Sequence, residues 1–245
     1  MVNRDWEFWG KRVLDTRKMA ENKKFIFLYP QKDIFDFEIE NNACTIRLSK
    51  WKERELKRRL RLAKNKEKRR AVGQEYQRIR EAVFRQIYST GLNACINQRY
   101  RQNGFQVYYA LFDDQEISPI IDLSPQDKII YVGMNYTTHR TKRQDDTCPY
   151  PDQEYILNQL IPVDSLRVAG FHLWDCVQKL AKASFERGID TLVDEDLTEM
   201  FGHIVLDKEF RTDRFPNFKP RRMRADMFEL FMEKRKNCPW MWQDW

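Results

Sequence analysis

Glycine is scarce in this chain of 245 residues: the eight lie at 10, 73, 91, 104, 133, 170, 188 and 202, and no two are closer than thirteen positions. Motifs built on paired glycines are therefore absent, which excludes the dinucleotide fingerprint, the phosphate loop and the nucleophile elbow. The five cysteines, at 44, 95, 148, 176 and 238, never approach a Cys-x-x-Cys pair, so a zinc ribbon or thioredoxin-like site is unsupported. An odd, unclustered count suits a reducing compartment and points to the cytoplasm, the host cell's if the source is viral, an origin the composition leaves open. Long apolar runs are also missing. Stretches such as Val107 to Phe112 fall far short of the roughly 18 residues of a membrane span. Arg4, Asp5 and Glu7 near the start are not those of a secretory signal.

Charge and aromatic rings are abundant. Lys and Arg number 44 against 37 Asp and Glu, a formal charge of +7, and 13% of residues are aromatic. A folded chain with a highly charged surface follows. The basic excess is local: between Lys50 and Arg70 there are twelve cations against Glu53, Glu55 and Glu67, so this segment carries +9 and the remainder sums to −2. Trp51, Leu56, Leu60 and Ala63 form a thin apolar stripe, continued by Val72, Tyr76, Ile79, Val83 and Ile87, which predicts one long helix or two separated by a Lys-Asn-Lys turn and stopped near Gly91. A solvated helix face is the plain explanation of such a charge run. Like charges at helical spacing repel, however, and a polyanion relieves the cost, which favours nucleic acid.

Further along, residues 3 to 20 read as a helix bearing Trp6 and Trp9. Strands are expected at Lys24–Tyr29, Ile34–Glu40 and Cys44–Ser49, with Asn41-Asn42 as a hairpin turn, and again at Phe105–Phe112, Ile117–Leu123 and Lys128–Met134. Helices are expected over 152–160, 164–187 and 194–201, and Pro220 opens a last one. The expected fold is α+β: two antiparallel strand meanders, each followed by a helix, with additional N- and C-terminal helices. The corresponding units are a helix over 1–22, a nucleic-acid-binding core over 23–190 and a C-terminal helical extension with a Trp-rich tail over 191–245. This element order, over about residues 24 to 187, resembles the Whirly and PUR family of single-stranded nucleic-acid binders. The resemblance rests on order alone, with three strands per repeat where the family has four, and implies a sheet-based binder without catalysis.

Asn103-Gly104-Phe105-Gln106-Val107-Tyr108-Tyr109 partly resembles the aromatic strand of the RNA recognition motif, departing from it at Asn103 and Val107. Aromatics on both faces of one strand make an exposed Tyr108, beside Arg99 and Arg101, a candidate stacking platform; packing of both faces is the alternative. The loop around His139, Arg140, Lys142 and Arg143 can bind phosphate, or be a surface loop neutralised by Asp145 and Asp146. His172 and Cys176, four apart, could meet a metal but more simply pack in a core. The interface expected is thus Lys50, Lys52, Arg54, Lys57, Arg58, Arg61, Lys64, Arg99, Arg101, Tyr108, His139, Arg140, Lys142 and Arg143. No catalytic residue, cofactor or metal is assigned. The function expected is non-enzymatic binding of single-stranded nucleic acid, RNA ahead of DNA. The competing readings are a nuclease using Asp113, Asp114 and His139, and a structural subunit of an assembly. Trp240, Trp242 and Trp245 follow Pro239 and must dock off the preceding helix, either on their own domain or on a partner or second copy.

Overall fold

The computed structural model describes residues 22–142, 150–206, 233 and 236–241. The expected N-terminal helix, Arg143 and its neighbouring acids, the helix after Pro220, and Trp242 and Trp245 lie outside the described residues.

The apolar run Lys23–Leu28 is strand β1, buried on both faces and ended by Tyr29-Pro30. Helices α1 (Lys32–Ala43), α2 (Lys50–Leu62) and α3 (Lys66–Arg99) precede β2 (Gln106–Leu111) and β3 (Lys128–Tyr131). Short helices α4 (Tyr136–Lys142) and α5 (Gln153–Leu160) lead to β4 (Ser165–Gly170). A wide helical turn, Leu173–Val177, then opens α6 (Gln178–Glu186), followed by β5 (Asp190–Thr198) and α7 (Phe201–Ile204). The five strands form one sheet in the order β3-β2-β1-β4-β5, and every pairing is parallel.

The antiparallel meanders are therefore corrected to an α/β sheet, and the order that carried the Whirly and PUR likeness is not the order of the elements. Three local causes account for this. Ile34–Glu40 alternates like a strand, but Ile34, Phe35, Ile39, Asn42 and Ala43 also share one helical face, and that face is the buried one. Ile117–Leu123 makes only an isolated bridge through Ile117; its backbone is tied to α3 instead, where Ser89 and Asn93 donate to the Ile120 carbonyl and the Asn93 side chain accepts from Asp122 N. The expected helices at 164–187 and 194–201 each contain a strand: β4 is short and apolar, as suits a strand covered on both faces, and β5 carries Asp194, Glu195 and Asp196 indoors. The boundary drawn after residue 190 falls inside β5, which belongs to the same sheet.

On one side of the sheet α1, α3 and α7 pack together; α5 and α6 form another group. Phe25, Phe27 and Tyr29 stack on Tyr100, Phe35 and Phe112. Gly170 permits the closest approach of the central strands: its φ is 114°, and a Cβ there would stand 2.3 Å from the Leu28 carbonyl oxygen. Residues 238–241 dock beside β5, where Val193 N donates to the Trp240 carbonyl and the Trp240 ring lies 5.7 Å from Phe185. Among the described residues no helix is long and apolar enough to cross a membrane.

Candidate functional site

The basic segment folds as two helices broken at residues 63–65. Ser49 and Asn65 cap their starts by accepting from Lys52 N and Lys68 N. The helices pack against each other, bridged by Arg59, whose guanidinium donates to both carboxylate oxygens of Glu75 at 2.7 and 2.6 Å. From Lys57 to Val83 only Ala63 is buried, whereas from Phe84 onward α3 sinks into the core at Phe84, Tyr88, Leu92, Cys95, Ile96 and Arg99. α2 and the first half of α3 are therefore a basic arm on an α/β body, and α3 passes through Gly91 without stopping.

Of the twelve cations between 50 and 70, three (Lys52, Lys57 and Arg59) reach a carboxylate; the other nine make no ion pair with the described residues. Lys50, Arg54, Arg58 and Arg61 recur at helical spacing along one side of α2, so their repulsion is uncompensated within the arm. Trp51 lies three and seven positions before Arg54 and Arg58 on the same side, 71% exposed, with Lys52 Nζ 5.8 Å from its ring. Sequence reading placed Trp51 in an apolar stripe. The signal that it is surface was the crowding of cations on both sides of it.

The other expected contacts separate from the arm. Tyr108 is buried, 4% exposed, with Lys24 and Lys128 over its ring at 5.2 and 5.7 Å; Tyr109 is buried on the other face, so the aromatic sheet platform is withdrawn. Arg99 is enclosed by Asp194 (2.9 and 3.0 Å) and Asp196 (3.0 Å), with the Tyr100 hydroxyl also donating to Asp194. Desolvation pushes the Asp196 carboxyl up to about 7, against the pull of Arg99. Arg101 is held by Asp127, the Tyr109 hydroxyl and the Asp122 carbonyl. Neither guanidinium is available to phosphate. Arg140 and Lys142 belong to α4, and Arg143 lies outside the described residues. Asp113 and Asp114 accept from Gly133 N and from Tyr136 N and Thr137, so these carboxylates fasten the β3–α4 turn. Among the described residues no three His, Cys, Asp or Glu gather as metal ligands.

A second feature emerges from the topology. Strand order reverses between β1 and β4, and crevices beyond the carboxyl ends at such a point are where open α/β sheets hold ligands. Tyr29 (φ 60°) and His172 (φ 66°) both take left-handed backbone there. The Tyr29 hydroxyl, its pKa raised by burial and by the nearby Cys176 thiol, is flanked by the rings of Phe112 and His172, with His139 stacked on Phe112. His139 and His172 are thus separated by two rings. Gln31, fully buried just after β1, has neither amide atom hydrogen-bonded to a described residue. Sequence reading singled out His139, His172 and Cys176 but not their meeting around Tyr29 and Phe112, which depends on strand order. No protein-family model, curated protein or solved structure matches the chain.

Proposed function

We propose that this protein binds single-stranded nucleic acid through the arm formed by α2 and the first half of α3. The observation that carries the reading is the row of cations lacking carboxylate partners on an exposed helix, with Trp51 standing among them. Phosphates neutralise that row, and a base stacks on the exposed indole, a combination that suits unpaired strands whatever their sequence. Lys50, Arg54, Arg58, Arg61 and Lys64 are the phosphate contacts, and Lys52 and Lys57 reinforce the field although each already faces a glutamate. RNA is the first ligand to test, with DNA beside it. Gel retardation of single-stranded RNA, single-stranded DNA and duplex, with and without magnesium, is the experiment. Retardation of single strands without cleavage supports the reading; magnesium-dependent products replace it with a nuclease.

A second reading is favoured by Gln31 alone: a small polar ligand satisfies this amide at the carboxyl end of the sheet. A buried polar group without a partner costs about 1–3 kcal/mol. Gln31→Met removes that cost at similar volume, so a higher Tm in the variant is expected if the amide is retained for a ligand. A lower Tm makes Gln31 a structural residue and removes the reading.

A further inference from the structure

At the base of the arm the loop between α1 and α2 borders an open groove of about 520 Å³. Arg47, Lys50 and Arg80 line it, with Glu53 as the one acidic lining residue among the described residues, and Glu53 is already engaged by Lys57 at 3.7 Å. Thr45 adds a hydroxyl, which donates to the Asn42 carbonyl and keeps its lone pairs for other donors. Arg80 is held in place: its guanidinium lies over the Tyr76 ring at 4.1 Å, and one terminal nitrogen donates to the Tyr76 hydroxyl. Its Nε is enclosed and makes no hydrogen bond with the described residues. The first turn of α2 borders the groove through Lys50 and Glu53, so the positive end of a 13-residue helix adds to the three cations.

We propose that this groove binds the terminal phosphate monoester of a nucleic-acid strand. Three cations in one recess suit a monoester better than an internal diester, because a monoester carries about −1.5 to −2 at neutral pH. The surroundings make the groove an end rather than a way station. Lys50 is shared between the groove and the outward row Lys50, Arg54, Arg58 and Arg61, so a strand on the arm runs into the groove. The loop that lines it follows α1, where Asp33 and Glu40 are exposed and the cation Lys32 is already bridged to Asp36, so α1 offers a continuing phosphate chain repulsion and no unpaired cation. A strand terminus is what both halves of this charge pattern accept.

The inference rests on the arm as the nucleic-acid surface, and one experiment separates the two. Affinity is measured for one single-stranded RNA bearing a 5′-phosphate, a 3′-phosphate or hydroxyls at both ends, with the intact chain, with Arg47→Gln/Arg80→Gln and with Arg54→Gln/Arg58→Gln. One phosphorylated form is expected to bind at least about tenfold more tightly than the hydroxyl form, as charge-assisted contacts allow. In the groove variant that advantage is expected to vanish; circular-dichroism melting confirms that the variant is folded, and Arg80→Lys, which retains the charge, should keep part of the preference. Equal affinity for all three ends overturns the groove and leaves the arm standing. An end preference unaffected by the groove variant also overturns it. Preference intact with no response to Arg54→Gln/Arg58→Gln keeps the groove and overturns the arm, and no binding of any strand overturns both.

Discussion

Trp51 and Tyr108 carry large rings into opposite surroundings, and the difference sets what each can do. Trp51 stands in water beside Lys52, Arg54 and Arg58; Tyr108 lies in the sheet beneath Lys24 and Lys128. Trp51→Ala is expected to weaken single-strand binding by about 1–3 kcal/mol while Tm stays within a degree or two, because the ring supports no core. Tyr108→Ala is expected to do the reverse, losing about 3 kcal/mol of stability as large-to-small core changes do. Calorimetry and fluorescence titration on both variants check this, and a Trp51 variant that melts early contradicts the surface assignment. Glu38 supplies a second residue-scale expectation. Burial, with Glu199 nearby, raises its carboxyl to about 7, above its ordinary value near 4.5. A carboxyl raised by folding holds a proton in the native chain that the unfolded chain has released, so stability falls as pH rises from about 4.5 to 7. Glu38→Gln should flatten that decline and raise Tm at pH 7.5; because the carboxyl still meets solvent, the gain is about 1 kcal/mol. An unchanged pH profile of Tm in the variant contradicts this.

At the scale of elements, what could be read from the sequence was local and what escaped was not. β1 is legible because Phe25 to Leu28 is a short apolar run stopped by Pro30, and α2 and α3 because apolar residues recur every three or four positions through a cationic stretch. α1 carries two periods at once, and the choice between them is made by Phe27 and Phe171, which receive Phe35. β5 is hidden because Asp194 and Asp196 are neutralised by Arg99, 95 and 97 positions away, and no window of sequence contains both. The candidate interface was legible in its cations for the same local reason, whereas the cluster of Tyr29, Phe112 and His172 was not, since residues after three separated strands assemble it. The tail belongs to this scale too. Trp240 packs on Phe185 and its carbonyl accepts from β5, so docking on the same chain, one of the two placements open from sequence, is the one adopted by residues 238–241. Trp240→Ala should cost about 3 kcal/mol, lowering Tm by roughly 6–12 °C in a chain of this size. An unmoved Tm would show that the packing of this ring adds nothing to the fold.

For the whole molecule, charge and fold divide the labour. The body is a parallel sheet whose residues are largely spent on its own core, and its buried Arg99 and part-buried Arg101 are matched by carboxylates. The segment from 50 to 70 holds +9 while the rest of the chain sums to −2, so the basic excess of the chain lies in the arm. Binding by such a surface is dominated by counterion release, which makes salt the decisive variable. The most direct measurement is therefore the affinity for a single-stranded RNA over a range of salt, for the intact chain and for a variant with Arg54, Arg58, Arg61 and Lys64 changed to Gln, none of which makes an ion pair with the described residues. The expected result is a log–log slope shallower in the variant by roughly 0.7 for each phosphate that its arm no longer neutralises, with the same Tm in both proteins. Equal slopes in the two proteins, or no binding at low salt, would contradict the assignment of the arm as the nucleic-acid surface.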